Sequence, residues 1–260
     1  YTGLSAALHL AQAGARVTVL EAHRAGFGAS GRNGGQLGSG QRQDQVTLAR
    51  MFGADAADRL WEMGEDAKAL VRNLIRTHDI DCHLRDGVAW MGSSPSEVAE
   101  LHRYADHMAR RHDHPMEVLD AQAGHRLCPS PDFRGGVLDM TAGHLHPLRF
   151  ALGLARAAQS AGAVLHEGSP VTAITAQGGG YQIRTATGSL QADQVVLACN
   201  GYLGGLAPGV SARVMPINNF IIATAPLGVR TAEVLTRDVA VCDSRFVVNY
   251  FRLSHDGRLL

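Results

Sequence analysis

The spacing of apolar residues changes repeatedly along the chain, and each change marks an element. The opening stretch is rich in small residues (Gly3, Ser5, Ala6, Ala7, Ala11, Ala13) and reads as a helix packed closely on a sheet. Gly14 ends it, and Val17, Val19 and Leu20 form a short apolar strand closed by Glu21. Residues 42–79 are helical by pattern. Val46, Leu48, Ala49 and Phe52 come first, and Leu60, Trp61, Met63, Ala67, Leu70, Val71 and Leu74 follow Gly53. Trp61 and Met63 are expected in the core. Ile80–Leu84 and Gly87–Gly92 read as strands around an Arg85–Asp86–Gly87 turn. A helix over Pro95–Arg111 with Ser94 as its N-cap comes next, then a short helix over Ala121–Leu127.

The second half is more extended. Gly135–Leu138 and Ala142–Pro147 read as a turn-rich link, and Pro147 opens a helix closed by Ser160–Gly162. Ala163–Glu167 is a strand. Val171–Ile174 and Tyr181–Arg184 alternate around Gly178–Gly180 as a hairpin does. Gln194–Cys199 is an unbroken apolar run suited to a buried parallel strand. Val214–Ile217, Phe220–Thr224 and Phe246–Arg252 are further apolar stretches, and His255–Arg258 is a tight turn. Leu259–Leu260 stand inside an apparent hairpin, so the chain reads as incomplete at this end.

Candidate chemistry gathers near the start. Glu21 lies 18 residues after Gly3, close to the offset of an acid that holds ribose hydroxyls in a dinucleotide-binding βαβ unit. Only the third glycine of the G-x-G-x-x-G fingerprint is present, as Gly3, so the unit reads as incomplete at its start as well. Gly26–Gly40 holds seven glycines in fifteen residues, which rules out a stable helix or a central strand. Such a loop brings backbone N–H groups close to an anion, and Arg32 adds a fixed positive charge. Ser30 and Asn33 suit either a ligand or a turn cap. The plain alternatives are a βαβ crossover whose Glu21 faces solvent and a flexible surface loop.

Composition narrows the class. Lys+Arg and Asp+Glu are both 24, so the net charge is zero and no basic field argues for nucleic acid. Cys82, Cys128, Cys199 and Cys242 are widely spaced, which suits reduced thiols in the cytoplasm and no zinc knuckle. No apolar run is long enough to span a membrane. His102, His107, His112 and His114 lack metal-ligand spacing and are expected as exposed polar residues, so no metal is assigned. His144 and His146 share a side if extended; they are expected to be structural.

Gly3–Leu4–Ser5–Ala6–Ala7, Val19–Leu20–Glu21 and Gly28–Ala29–Ser30–Gly31–Arg32–Asn33–Gly34–Gly35–Gln36 resemble the D-amino-acid-oxidase-type FAD-dependent oxidoreductases, most of all their gamma-glutamylputrescine oxidase branch. The resemblance implies an α/β fold: a Rossmann-like FAD-binding domain with an interleaved α+β substrate domain. It assigns residues 1–41 and 143–208 to the FAD-binding domain, 42–142 mainly to the substrate domain with its connecting helices, and 209–260 to substrate-domain strands. It implies FAD contacts at Gly3, Glu21, Ala22, the Gly28–Gln36 loop, Val171, Ala198, Cys199 and Gly201. Cys199 is expected to be a packed thiol and not a nucleophile, and no residue is assigned as catalytic. The implied reaction is oxidation of a small amine, gamma-glutamylputrescine or a relative, by hydride transfer to flavin. The imine then hydrolyses, and O2 reoxidises the flavin to give H2O2. The alternatives are a D-amino-acid, glycine or N-methyl-amino-acid oxidase, a nicotinamide-dependent dehydrogenase, and a non-catalytic nucleotide-binding fragment. Without the first two fingerprint glycines, the isolated 260-residue chain is expected to be weakly active or inactive.

Overall fold

The computed structural model describes residues 1–245 and 248–260. In chain order the elements are α1 (Thr2–Gln12), β1 (Thr18–Leu20), β2 (Gln36–Leu37), α2 (Gln45–Phe52), α3 (Ala54–Thr77), β3 (Arg85–Gly92), α4 (Pro95–His112), β4 (Glu117–Leu119) and α5 (Ala121–Leu127). They continue with β5 (Gly135–His144), α6 (Pro147–Ser160), β6 (Val164–His166), β7 (Val171–Gln177), β8 (Gly180–Thr185), β9 (Ser189–Ala192), β10 (Ala240–Asp243) and β11 (Tyr250–Phe251). The chain divides into two units. The first comprises Tyr1–Asn33, His78–Ile80 and Pro147–Phe220, and the second Gly34–Thr77, Asp81–His146 and Ile221–Leu260.

In the first unit, β1 runs parallel to β6 with Val19 beside Leu165. Leu8 of α1 and Ala151 and Leu154 of α6 are fully or almost fully buried. Alanine and glycine on these helices allow close approach: a Cβ at Gly153 would lie 2.2 Å from Ile80 Cγ2. The predicted hairpin forms as β7–β8, and β9 extends it to three strands. Gln194–Cys199 differs from expectation. It joins no ladder among the described residues, and Val196 is 61% exposed. An apolar run specifies a strand only where a partner offers matching N–H and C=O groups.

The second unit is built on a six-stranded sheet in the order β11–β10–β3–β5–β2, with β4 also on β5. β10 runs parallel to β3, and the other pairs are antiparallel. The stretch expected as a turn-rich link is instead β5, ten residues long and central to the sheet. Its glycines are needed: a Cβ at Gly136 would sit 2.0 Å from Trp90 O. Ile80–Leu84 is not a strand, and β3 starts at Arg85, through the expected turn. Phe220–Thr224 forms no strand either. Of the expected strand over 246–252, Phe246 and Val247 lie outside the described residues, and among the rest Tyr250–Phe251 form a strand.

The helices start and stop where local chemistry directs. Asp44 caps α2 by accepting from Thr47 N at 2.8 Å, and Gly53, at φ 86°, separates α2 from α3. Ser94 and Glu97 form a capping box on α4, with Pro95 in its first turn. Trp61 is buried as expected, but Met63 is 62% exposed, since two residues along a helix point about 200° apart. His114 is also buried, against expectation, because its ring pairs with Asp139. His102 donates to the carbonyls of Leu119 and Gly136. Among the described residues no helix is long and apolar enough to cross a membrane.

Gly153→Ala tests the close packing at Ile80. The added methyl overlaps a buried side chain, so thermal and urea unfolding should show a loss of about 1–3 kcal/mol.

Candidate functional site

Within the first unit, the residues singled out in the sequence converge at the carboxyl end of β1. Glu21 follows the strand directly. Its N–H donates to His166 O at 2.9 Å, and its Oε1 accepts from His23 N at 2.9 Å. Ser169 N donates to Glu21 O at 2.8 Å, which brings the start of β7, and so Val171, to the same edge. A Cβ on Gly3 would lie 3.1 Å from Ala198 Cβ, so α1 packs directly on the 194–199 segment. Burial pushes the Cys199 thiol up, and the Glu21 charge adds to this. A thiol so shifted stays protonated, in keeping with a packed cysteine. Ala22 and Gly201 are exposed at this edge.

The glycine loop has a built shape. Ala29–Gly31 is a single 3-10 turn, closed by Asn33, whose Nδ2 donates to Ala29 O and Ser30 O at 2.9 and 3.0 Å. Asn33 therefore acts as a cap. Gly31 cannot carry a side chain, because its Cβ would lie 2.0 Å from Gly26 O. Gly28 lies under the ring of Tyr202, next to Gly201. The Arg32 guanidinium sits 4.4 Å from the centre of the Phe27 ring, a cation–π contact at the surface.

In the second unit the loop continues through Gly34, Gly35 and Gln36. Gly35, at φ 73°, accepts from Leu145 N at 2.8 Å, and Gln36 pairs with His144 in β2–β5. Gln36 Oε1 also accepts from Cys242 Sγ at 3.0 Å. In a flat sheet β2 and β10 would be about 14 Å apart, with β5 and β3 between them. The contact therefore requires the sheet to curl. Tyr250 packs on Gly34, where a Cβ would lie 2.4 Å from its ring, and Arg252 Nε donates to Gly34 O at 2.5 Å. Neither residue stood out in the sequence, where they were simply part of an apolar stretch.

A buried polar network holds the loop's far end. Lys68 Nζ donates to Ser39 Oγ at 2.7 Å and to Thr141 Oγ1 at 2.8 Å, and it pairs with Glu65 at 2.8 Å. Ser39 Oγ donates to Asp139 Oδ2 at 2.6 Å, and His114 Nε2 donates to the same carboxylate at 3.0 Å. Burial alone would push the Asp139 carboxyl up. The hydrogen bonds from His114, Ser39 and Thr141 outweigh it and hold the group well below the usual range. One signal in the sequence pointed here: Asp139 is the sole charge in the apolar run Gly135–Met140.

His144 is 2% exposed. Its Nε2 donates weakly to Asp238 O at 3.4 Å, and its Nδ1 has no hydrogen-bond partner among the described residues. Burial pushes its imidazole down; the hydrogen bond to Asp238 opposes this, and the Arg252 charge reinforces it.

A family model described as "FAD dependent oxidoreductase" matches residues 1–260, the whole chain. The chain belongs to the FAD-dependent oxidoreductase family. It is 41% identical over 261 residues to the probable oxidoreductase OrdL of Rhizobium meliloti, and 38% identical over 262 residues to the gamma-glutamylputrescine oxidoreductase of Escherichia coli. Each match takes in 100% of this chain and 61% of the relative, so the chain spans about three-fifths of the length of these proteins. The fold is that of glycine oxidase from Geobacillus kaustophilus, with TM-score 0.74 at 21% identity over 98% of this chain and 66% of that one. FAD is the cofactor of this family. The first unit fits such a dinucleotide chemically: a carboxylate stands at the end of a parallel strand, with a glycine-rich turn following it in the chain.

Two stability measurements follow. Asp139→Asn removes the buried carboxylate that accepts from Ser39, His114 and Thr141 while Lys68 keeps Glu65, and urea unfolding should show a loss of about 1–3 kcal/mol. The lowered His144 pKa means the unfolded chain binds its proton first as pH falls. Its contribution to stability is complete above about pH 6.5 and declines below it. His144→Gln should flatten the fall in Tm between pH 7 and 5, leaving the part due to His112, which burial also pushes down.

Proposed function

We propose that the protein carrying this chain oxidises an amino acid or a closely related small amine with FAD. Bound FAD would supply the acceptor for the hydride on the carbon beside the amine nitrogen, with O2 taking up the two electrons and two protons as H2O2. The oxidised substrate is an imine, which water converts to a carbonyl compound and ammonia. In this reading the first unit holds the dinucleotide. Glu21 holds the ribose, Gly3 and the Gly28–Gln36 loop run along the pyrophosphate toward the flavin, and Ala22, Val171, Ala198, Cys199 and Gly201 line the remainder. The second unit supplies the substrate side. The four free thiols suit a cytoplasmic setting.

One observation carries the choice of an amino acid. Tyr250 and Arg252 both meet Gly34 of the glycine loop, the ring on its backbone and the guanidinium on its carbonyl. Burial pushes the Arg252 pKa down, but a guanidinium stays charged at neutral pH. The pair places a hydroxyl-bearing ring and a positive charge beside the loop, which suits the carboxylate of an amino acid. A second reading, a gamma-glutamylated diamine, draws on the Ala29–Gln36 string and on the E. coli relative that is 38% identical.

The deciding experiment is anaerobic reduction of the holoprotein's flavin, followed at its visible band, with amino acids, N-methyl-amino acids and gamma-glutamylputrescine. Bleaching by amino acids, reversed by air with peroxide release, supports the first reading. Bleaching by gamma-glutamylputrescine alone supports the second. A purified protein that neither holds nor takes up flavin would sink both. Arg252→Lys should raise KM for an amino acid about tenfold and leave KM for a carboxylate-free amine unchanged.

A further inference from the structure

The sheet of the second unit has two unlike faces. Along β3, Ala89 and Met91 point to one side and Val88 and Trp90 to the other. On the first side Ala89, Met91, Leu138 and Val241 are almost wholly buried in a core completed by Leu119, Leu127, Leu235 and Val239. On the second side Val88, Ala142 and Ala240 pack together with Cys242 beside them, and Val137, the neighbour of Trp90 on β5, is buried as well. The rings of this face toward β10 and β11 are half open. Trp90 is 41% exposed and Tyr250 is 42% exposed.

Register sets these residues in a row. Cys242 on β10 lies beside Trp90 on β3 and, on its other flank, beside Tyr250 on β11. The two ring-bearing strands are thus two strand spacings apart, about 10 Å, with the thiol between them. The glycine loop meets the same row, since Tyr250 packs on Gly34 and Cys242 donates to Gln36. Burial pushes the Cys242 thiol up to about 11, so the floor between the rings is neutral. The row bears no formal charge, and its rings are large, rigid apolar surfaces.

We propose that Trp90 is a specificity-determining residue: with Tyr250 it walls a slot, floored by Cys242 and the Gln36 amide bonded to it, that takes the hydrocarbon side chain of the substrate. The inference rests on the oxidation reading above and adds to it a substrate class, amines or amino acids with a linear aliphatic chain in preference to glycine. Trp90 acts on binding of that chain; electron transfer takes place at the amine-bearing carbon.

The test uses the holoprotein with glycine, 2-aminobutyrate and norleucine, and reads two signals. First, Trp90→Ala should raise KM for norleucine about tenfold, raise it less for 2-aminobutyrate, and leave glycine within about twofold. Trp90→Phe should restore most of the loss. Equal changes for all three compounds, or none, would overturn the proposal. Second, this chain has two tryptophans, and Trp61 is buried, so the iodide quenching that is lost in Trp90→Phe reports Trp90. Norleucine should protect the fluorescence from iodide and glycine should not. A Trp90 already shielded from iodide in the holoprotein without any amine would overturn the slot, because another part of the protein would then cover it. If no compound bleaches the flavin but norleucine still protects Trp90, the oxidation reading fails while the slot stands as a binding site.

Discussion

Ser39 is held between a buried cation and a buried anion, and the shape of the glycine loop depends on that clamp. Lys68 supplies one side and Asp139 the other, with Glu65 paired to Lys68 and the His114 ring hydrogen-bonded to Asp139. A buried ion costs several kcal/mol of lost hydration unless neighbours replace the water. Here the replacement comes from α3, β5 and the loop itself, so the loop cannot shift without stranding a charge. Beside the clamp, Gly40 lies against the Trp61 ring and against Gly64, where a Cβ would be only 3.0 Å away. Electrostatics and close packing fix the same few residues.

The other end of the loop is fixed by different means. Asn33 ties back to Ala29 and Ser30, and Gly31 turns so tightly over Gly26 that only hydrogen fits. Between the two anchors, Gly34 and Gly35 are bonded through their carbonyls to Arg252 and Leu145. A segment with this many glycines has high entropy when unfolded, and these contacts offset that cost. The result is a glycine-rich segment of defined backbone shape.

Curling of the large sheet then gives its two faces separate roles. One face is closed by aliphatic side chains and provides the core of the second unit. The other brings Gln36 to Cys242 across two intervening strands and leaves Trp90 and Tyr250 half exposed beside the loop. β5 makes this geometry possible, because β3 runs along one flank while β2 and β4 occupy different ends of the other. Gly135, Gly136 and Gly143 let the neighbouring strands close in on it.

Local signals in the sequence were enough for the helices, for β1 with its terminal acid, and for the hairpin of β7 and β8. Caps such as Asp44 and Ser94, breaks such as Gly53, and period-2 alternation all act over a few residues and need no distant partner. The family was legible for the same reason, since its motifs are short runs around Gly3, Glu21 and the glycine loop. Strand pairing was a different matter. Nothing local distinguished β5, which pairs on both flanks, from Gln194–Cys199, which joins no ladder among the described residues, because a strand is defined by what lies beside it. The burial of Lys68 and His114, and the meeting of Tyr250, Arg252 and Cys242 with Gly34 and Gln36, join residues as much as 218 positions apart. Sequence alone determined which residues were available to the site; only the tertiary structure decided which of them meet, because long-range register and charge pairing exist only once the sheet has curled.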